Sequence, residues 1–177
     1  MKLQGSVRIC SRKMKSQAGV SLIETMIALG LLLIAAAGIL TVASVAMTTT
    51  ENQGHLAART AEYAQDKMEQ LLALQYPDIQ TDTTVFPSAI IGGTGLQVGG
   101  GLNPNAPVAG YSDYVDRSGN PVAAGANWQY IRVWQITQAA PNLIQISVLT
   151  RVRYDVGQNQ AGLLPKSTVT CLKSNPF

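Results

Sequence analysis

A glycine and a carboxylate stand five residues apart beside a long uncharged stretch, in Gly19-Val20-Ser21-Leu22-Ile23-Glu24. Gly19 has no side chain, which suits a peptidase that cuts at a membrane face. Scission after Gly19 would free an α-amine at Val20, which carries positive charge near neutral pH. Glu24 then lies about one helical turn along the new N-terminus. A lone acid in a membrane segment costs roughly 2.5–3.5 kcal/mol at the helix centre, so Glu24 asks for a role. Pairing the Glu24 carboxylate of one copy with the Val20 amine of a neighbour relieves both charges and sets axial register. Removing one partner of such a buried pair costs about 3–5 kcal/mol.

No other residues assemble into a reactive constellation. His55 is the only histidine, so a histidine-based metal cluster is excluded. The acids are sparse and fall on helix or turn segments, which argues against paired-carboxylate or Ser-His-Asp catalysis. Gly93-Thr94-Gly95 followed by Gly99 lacks the dinucleotide-binding spacing and its strand-to-helix context. Asp113, Asp116 and Asn120 around Gly119 offer oxygens of the kind calcium takes, but a turn is the better reading. No enzyme activity, cofactor or metal is expected.

The chain has 177 residues, a net charge of +3 and two cysteines, Cys10 and Cys171. Its basicity is local. Residues 1–23 hold Lys2, Arg8, Arg12, Lys13 and Lys15 and no acid, leaving eight basic against ten acidic residues, a net of −2, in the rest. That balance argues against broad nucleic-acid affinity, which needs basic patches, although Arg132, Arg151 and Arg153 are candidates for a local cluster. By the positive-inside rule, Arg8, Arg12, Lys13 and Lys15 hold the N-terminus in the cytoplasm and send everything after about residue 50 outward. The two cysteines then lie on opposite sides of the membrane. Cys171 is left as a half-buried strand residue or an intermolecular partner.

The elements that position Glu24 follow from the pattern. Thr25 to Thr50 is a run of 26 uncharged residues, longer than the about 20 needed to span a bilayer core. Ala35, Ala36, Ala37 and Gly38 form a small-residue patch that permits close helix approach, though alanine is also simply a good helix former. Beyond residue 50, Ala57, Ala61, Ala64, Met68 and Leu71 recur at helical spacing, with Arg59, Glu62, Asp66, Lys67 and Glu69 mostly off the stripe. Pro77 supplies the stop. One helix over 20–76 would run roughly 85 Å. Residues 78–127 are rich in Gly and Pro and read as irregular, with short strands at most. Trp128 to Thr137, Leu143 to Tyr154 and Ser167 to Leu172 read as strands. In the first, Trp128, Tyr130 and Trp134 fall on one face and Ile131 and Val133 on the other. Three sequential strands with short connections imply an antiparallel meander, its apolar face on the Ala57–Leu71 stripe. The expected fold is α+β: a long N-terminal helix, transmembrane then amphipathic, packed against a small antiparallel sheet. The boundaries are 1–19 leader, 20–50 membrane helix, 51–76 amphipathic half and 77–177 head.

Residues 8–50 resemble the class III signal sequences of type IV pilins and pseudopilins, in which glycine precedes the cut and glutamate is the fifth mature residue. Position one after the cut is usually Phe or Met; here it is Val20. Val-Ser-Leu-Ile-Glu and Ala64-Gln65-Asp66-Lys67-Met68-Glu69-Gln70-Leu71 are similar to minor pilins of the pilus-modification type, and the latter also to the minor pseudopilin I group of type II secretion. The resemblance implies a pilin-like fold, cleavage between Gly19 and Val20 and N-methylation of Val20 by a prepilin peptidase. It also implies assembly through Glu24 into a filament with other pilin or pseudopilin subunits. The other partners implied are an inner-membrane assembly platform and the lipid bilayer, with the head outside a bacterial inner membrane. Three rivals are weaker. An ordinary signal anchor makes Gly19 and Glu24 coincidental. A signal peptide cut after Ala46 requires an apolar region longer than the usual about 7–15 residues. A filament-displayed adhesin or DNA-binding head needs a basic patch.

Overall fold

The computed structural model describes residues 19, 21–85, 89–153 and 164–175. The expectations on Arg8, Arg12, Lys13, Lys15, Val20 and Cys10, and on the loop at 155–160, lie outside the described residues. Helix α1 runs Leu22–Ala73, two residues shorter at the start and three at the end than expected. The chain divides into two compact units between Val45 and Ala46.

In the first unit, α1 is apolar all round. Leu22 is 80% exposed, and Ile23, Met26, Leu29, Leu31, Leu32 and Ile34 are exposed with it. A helix apolar on every side with none of that stretch buried inside its own chain has to be covered by lipid or by other helices.

The second unit is a helix laid on a sheet. Its strands are β1 (Thr81–Asp82), β2 (Ala89–Ile90), β3 (Gly99–Gly100), β4 (Ser112–Val115), β5 (Pro121–Val122), β6 (Tyr130–Ala140), β7 (Leu143–Val152) and β8 (Lys166–Ser174). Strands β1 and β2 pair alone, and the rest form one antiparallel sheet in the order β5-β4-β6-β7-β8. The expected meander is β6-β7-β8. The loop-rich region adds β4 to the free side of β6, and β3 pairs farther along that side. Gly100 makes the β3 contact possible: its φ is +80°, and a Cβ there would sit 2.2 Å from the Trp134 carbonyl oxygen. Gly99 and Gly100 thus form one of the short strands that the region allowed, and join the sheet.

Alternation sorts the sheet into two faces. Trp134, Ile136, Ile144, Ile146 and Val148, with Val169 and Cys171, pack on Ala64, Met68 and Leu71 of α1. Ile131, Val133 and Leu149 face away and are covered by Leu102, Tyr114 and Trp128. Trp128 thus joins the Ile131 face rather than the Tyr130–Trp134 face. It precedes β6, so strand alternation does not govern it, and its ring packs on Tyr114 at 5.1 Å. The helix stripe is also rotated from its expected position. Thr60, Tyr63, Ala64, Lys67, Met68 and Leu71 are buried, whereas Ala57 is exposed and Ala61 half-buried. Partners explain the rotation: Tyr63 meets Tyr130 edge-on at 4.9 Å and donates to the Arg117 carbonyl, and Lys67 pairs with Asp113. At the other end, the last turn of α1 has no basic residue. Lys173 of β8 supplies one, donating to the Leu72 and Leu74 carbonyls at 2.5 Å each and satisfying helix-terminal acceptors.

Three aspartates build the turns that carry the short strands. Asp78 accepts from the Thr81 hydroxyl and the Gln80 and Thr81 amides, Asp82 from the Thr84 hydroxyl and amide, and Asp116 from Asn120 and the Ser118 amide. These bonds, led by the Thr81, Thr84 and Asn120 side chains respectively, hold each carboxyl below its ordinary value of 3.8. Depressed acids add stability that is complete above the unfolded value and lost as pH falls through the folded one. The contribution of these three aspartates to thermal stability should therefore fall as pH drops through 3.8 and below, and Asp116→Asn should shallow that acid limb. An acid limb of unchanged slope in the variant would exclude Asp116 as a contributor.

Candidate assembly site

Ser21 precedes the helix, and its carbonyl accepts from the Glu24 and Thr25 amides at 3.0 and 3.2 Å. That makes Ser21 the N-cap and places Glu24 in the first turn. The spacing Ser21-x-x-Glu24 is that of a capping box, a signal that the sequence reading passed over. A negative side chain is also favoured at a helix N-terminus by the aligned peptide dipoles. Thr25 donates back to the Leu22 carbonyl at 2.7 Å. Gly19, Ser21 and Glu24 are all exposed, as a peptidase substrate and an intermolecular carboxylate both require. The side chains around Glu24, namely Leu22, Ile23, Met26 and Ile27, are apolar and exposed. Any neighbour that covers them removes water from Glu24, and a carboxylate so desolvated demands a counter-charge.

The head holds a charge cluster that sequence reasoning missed. Lys67 and Arg132 are 1% exposed and Asp113 5%. Arg132 grips Asp113 with Nε at 2.7 Å and Nη2 at 2.8 Å, and reaches Asp66 with Nη1 at 2.8 Å. Lys67 Nζ lies 2.7 Å from Asp113 Oδ2, donates to the Thr83 carbonyl and sits 4.4 Å from the centroid of the Trp134 ring. Burial pulls the Lys67 ammonium below its usual value, and Asp113 opposes that pull. Burial also works against the Arg132 charge, but Asp113 and Asp66 outweigh it and hold the guanidinium more firmly protonated than usual. The cluster binds α1, β4, β6 and the segment before β2 into one unit. Two expectations are corrected by it. Lys67 belongs to the buried face of α1, because it brings its own counter-ion. Arg132 points toward the helix while Arg151 pairs in register with outward-facing Ile131, so Arg132 does not join Arg151 and Arg153 in one cluster. Asp113 is likewise separated from Asp116, which caps a turn. Among the described residues no group of three metal-ligating side chains comes together.

An exposed apolar helix led by a Gly19–Glu24 segment, with a helix-on-sheet head of α+β pilin-like architecture, fits a membrane-anchored class of protein. Residues 14–40 match the family model described as the prokaryotic N-terminal methylation motif. That motif marks pilin-like chains that are processed by a prepilin peptidase and assemble with other pilin subunits. Together with the apolar helix, it fits anchoring in an inner membrane. No curated protein and no solved structure matches the chain.

Proposed function

We propose that this chain is a non-enzymatic subunit of a type IV pilin-like filament. It is cut between Gly19 and Val20, N-methylated on Val20 and joined to its neighbours through the Val20 amine and Glu24. The observation that carries the reading is the coincidence of the methylation motif at residues 14–40 with a helix whose apolar side chains have no cover in their own chain. Arg8, Arg12, Lys13 and Lys15 orient the chain before scission. Resemblance at Val20–Glu24 and at 64–71 points to a minor subunit of a pilus that primes or joins the filament, with a minor pseudopilin of type II secretion as the alternative. N-terminal sequencing and intact mass of the exported protein are expected to show a start at Val20 carrying one extra methyl group. A start at any other residue overturns the processing step. Recovery of the chain in filaments sheared from the cell surface favours the pilus. A secretion defect on deletion, with no such filaments, favours the pseudopilus.

A further inference from the structure

The charges of the head are sorted by layer. Strands β6, β7 and β8 carry Arg132, Arg151, Lys166 and Lys173 and no acid. Arg132 and Lys173 point to the helix and are consumed there, one by Asp113 and Asp66 and the other by helix-end carbonyls. Arg151 and Lys166 face away from α1 and are direct register partners across β7 and β8. Like charges opposed across strands repel. Arg151 Nη1 donates to a neutral partner, Asn105 Oδ1 at 2.7 Å, and its Nε is buried without an acceptor among the described residues. Arg153 continues the row over the Trp128 ring at 5.0 Å. The opposite layer is acidic. Glu62, Asp66 and Glu69 recur at helical spacing on the exposed side of α1, where like charges three and four residues apart also repel. The counter-ions there are Arg59, at 3.0 Å from Glu62 and half exposed, and Arg132 reaching Asp66 from beneath.

We propose that these two faces meet between copies of the chain. The Arg151–Lys166 face of one head docks on the Glu62–Asp66–Glu69 face of the next. The contact relieves the repulsion that each face carries alone. Because it joins two different surfaces on opposite layers, it is heterologous, the type of contact that builds an open filament when the rotation between copies does not close a ring. The inference rests on the filament reading and deepens it: minor copies can occupy adjacent positions.

A zero-length carbodiimide cross-linker, which joins amines to carboxylates already in contact, tests this on the full chain in its assembled state. Ser167, next to Lys166, bonds Thr60 of α1 at 2.9 Å, so the link between Lys166 and Glu62, Asp66 or Glu69 is assigned to two copies by mixing isotopically light and heavy chain before assembly and scoring the mixed-label peptide. Such a peptide is the expected product. Lys166→Glu and Glu69→Lys each change an exposed side chain but also remove a cross-linking group, so they are read on assembly: each should lower recovery of the chain in filaments several-fold by placing like charges across the contact. Co-expression of the two variants should restore it through the reversed pair. Assembled chain with a Val20 start but no such peptide overturns the interface and leaves the filament reading standing. Lys166 linked instead to an acid of a different protein also overturns it. A start elsewhere than Val20 fails the filament reading itself.

Discussion

Glu24→Ala is expected to leave scission after Gly19 intact and to lower incorporation into filaments by about a hundredfold. That factor follows from roughly 3 kcal/mol for stranding one partner of a buried pair, at about 1.4 kcal/mol per decade. The variant keeps Gly19 and the leader basics, which are the features on the peptidase side of the cut. It removes the carboxylate that a covered Leu22–Ile27 surface would otherwise desolvate, leaving the Val20 amine of a neighbour without its counter-charge. The capping-box spacing Ser21-x-x-Glu24 supplies the control. Glutamine also serves at that position of the box, so Glu24→Gln preserves the local helix start and deletes only the charge. If the pairing account holds, Gln and Ala assemble equally poorly. Gln assembling like the parent chain would reduce Glu24 to a helix-capping residue. The comparison is read as the ratio of this chain to total subunit in sheared or membrane-extracted filaments, with cleavage followed by mass in the same samples.

Asp113→Ala is expected to be the most damaging single change in the head. It leaves two buried cations, Lys67 and Arg132, sharing no internal carboxylate. Asp66 still reaches Arg132, but its side chain is half exposed. Breaking a buried network in this way costs about 3–5 kcal/mol, which for a unit of this size lowers the melting temperature by roughly 10–20 °C. Replacing Lys67, Asp113 and Arg132 together with apolar residues of similar bulk should recover most of the loss, since removing every charge also removes the desolvation penalty. Melting of the full chain in detergent, followed on the strand signal, distinguishes the cases. A parent-like melting temperature for Asp113→Ala would mean that water already reaches the cluster and screens it.

Several features of this protein were legible in residue order because they depend only on local chemistry. The 26-residue uncharged run has no choice but to be covered by lipid or by like helices, and the basic residues that precede it are plain in the order of residues. Glu24 is close in sequence to the Ser21 cap, so its place in the first turn is set by one turn of helix. The β6-β7-β8 meander also showed itself, through period-two apolar patterning and short connections. Trp128 did not, because alternation holds only inside a strand and this residue stands outside β6.

What only the tertiary structure decided is whatever depends on partners distant in sequence. Lys67 reads as a surface residue until Asp113 arrives 46 positions later to neutralise it, and Arg132 reads as one of three surface arginines until strand parity turns it inward. The glycines at 99 and 100 read as loop until the Trp134 carbonyl shows why no side chain fits. Burying an ion costs far more than a local pattern can repay, so the position of a charge is settled by whether folding delivers its counter-ion, and residue order alone does not record that delivery. The long uncharged helix and the place of Glu24 near its start were legible in sequence; which charges lock the head, and which remain outside on Arg151, Lys166 and the acidic side of α1, was determined by the fold.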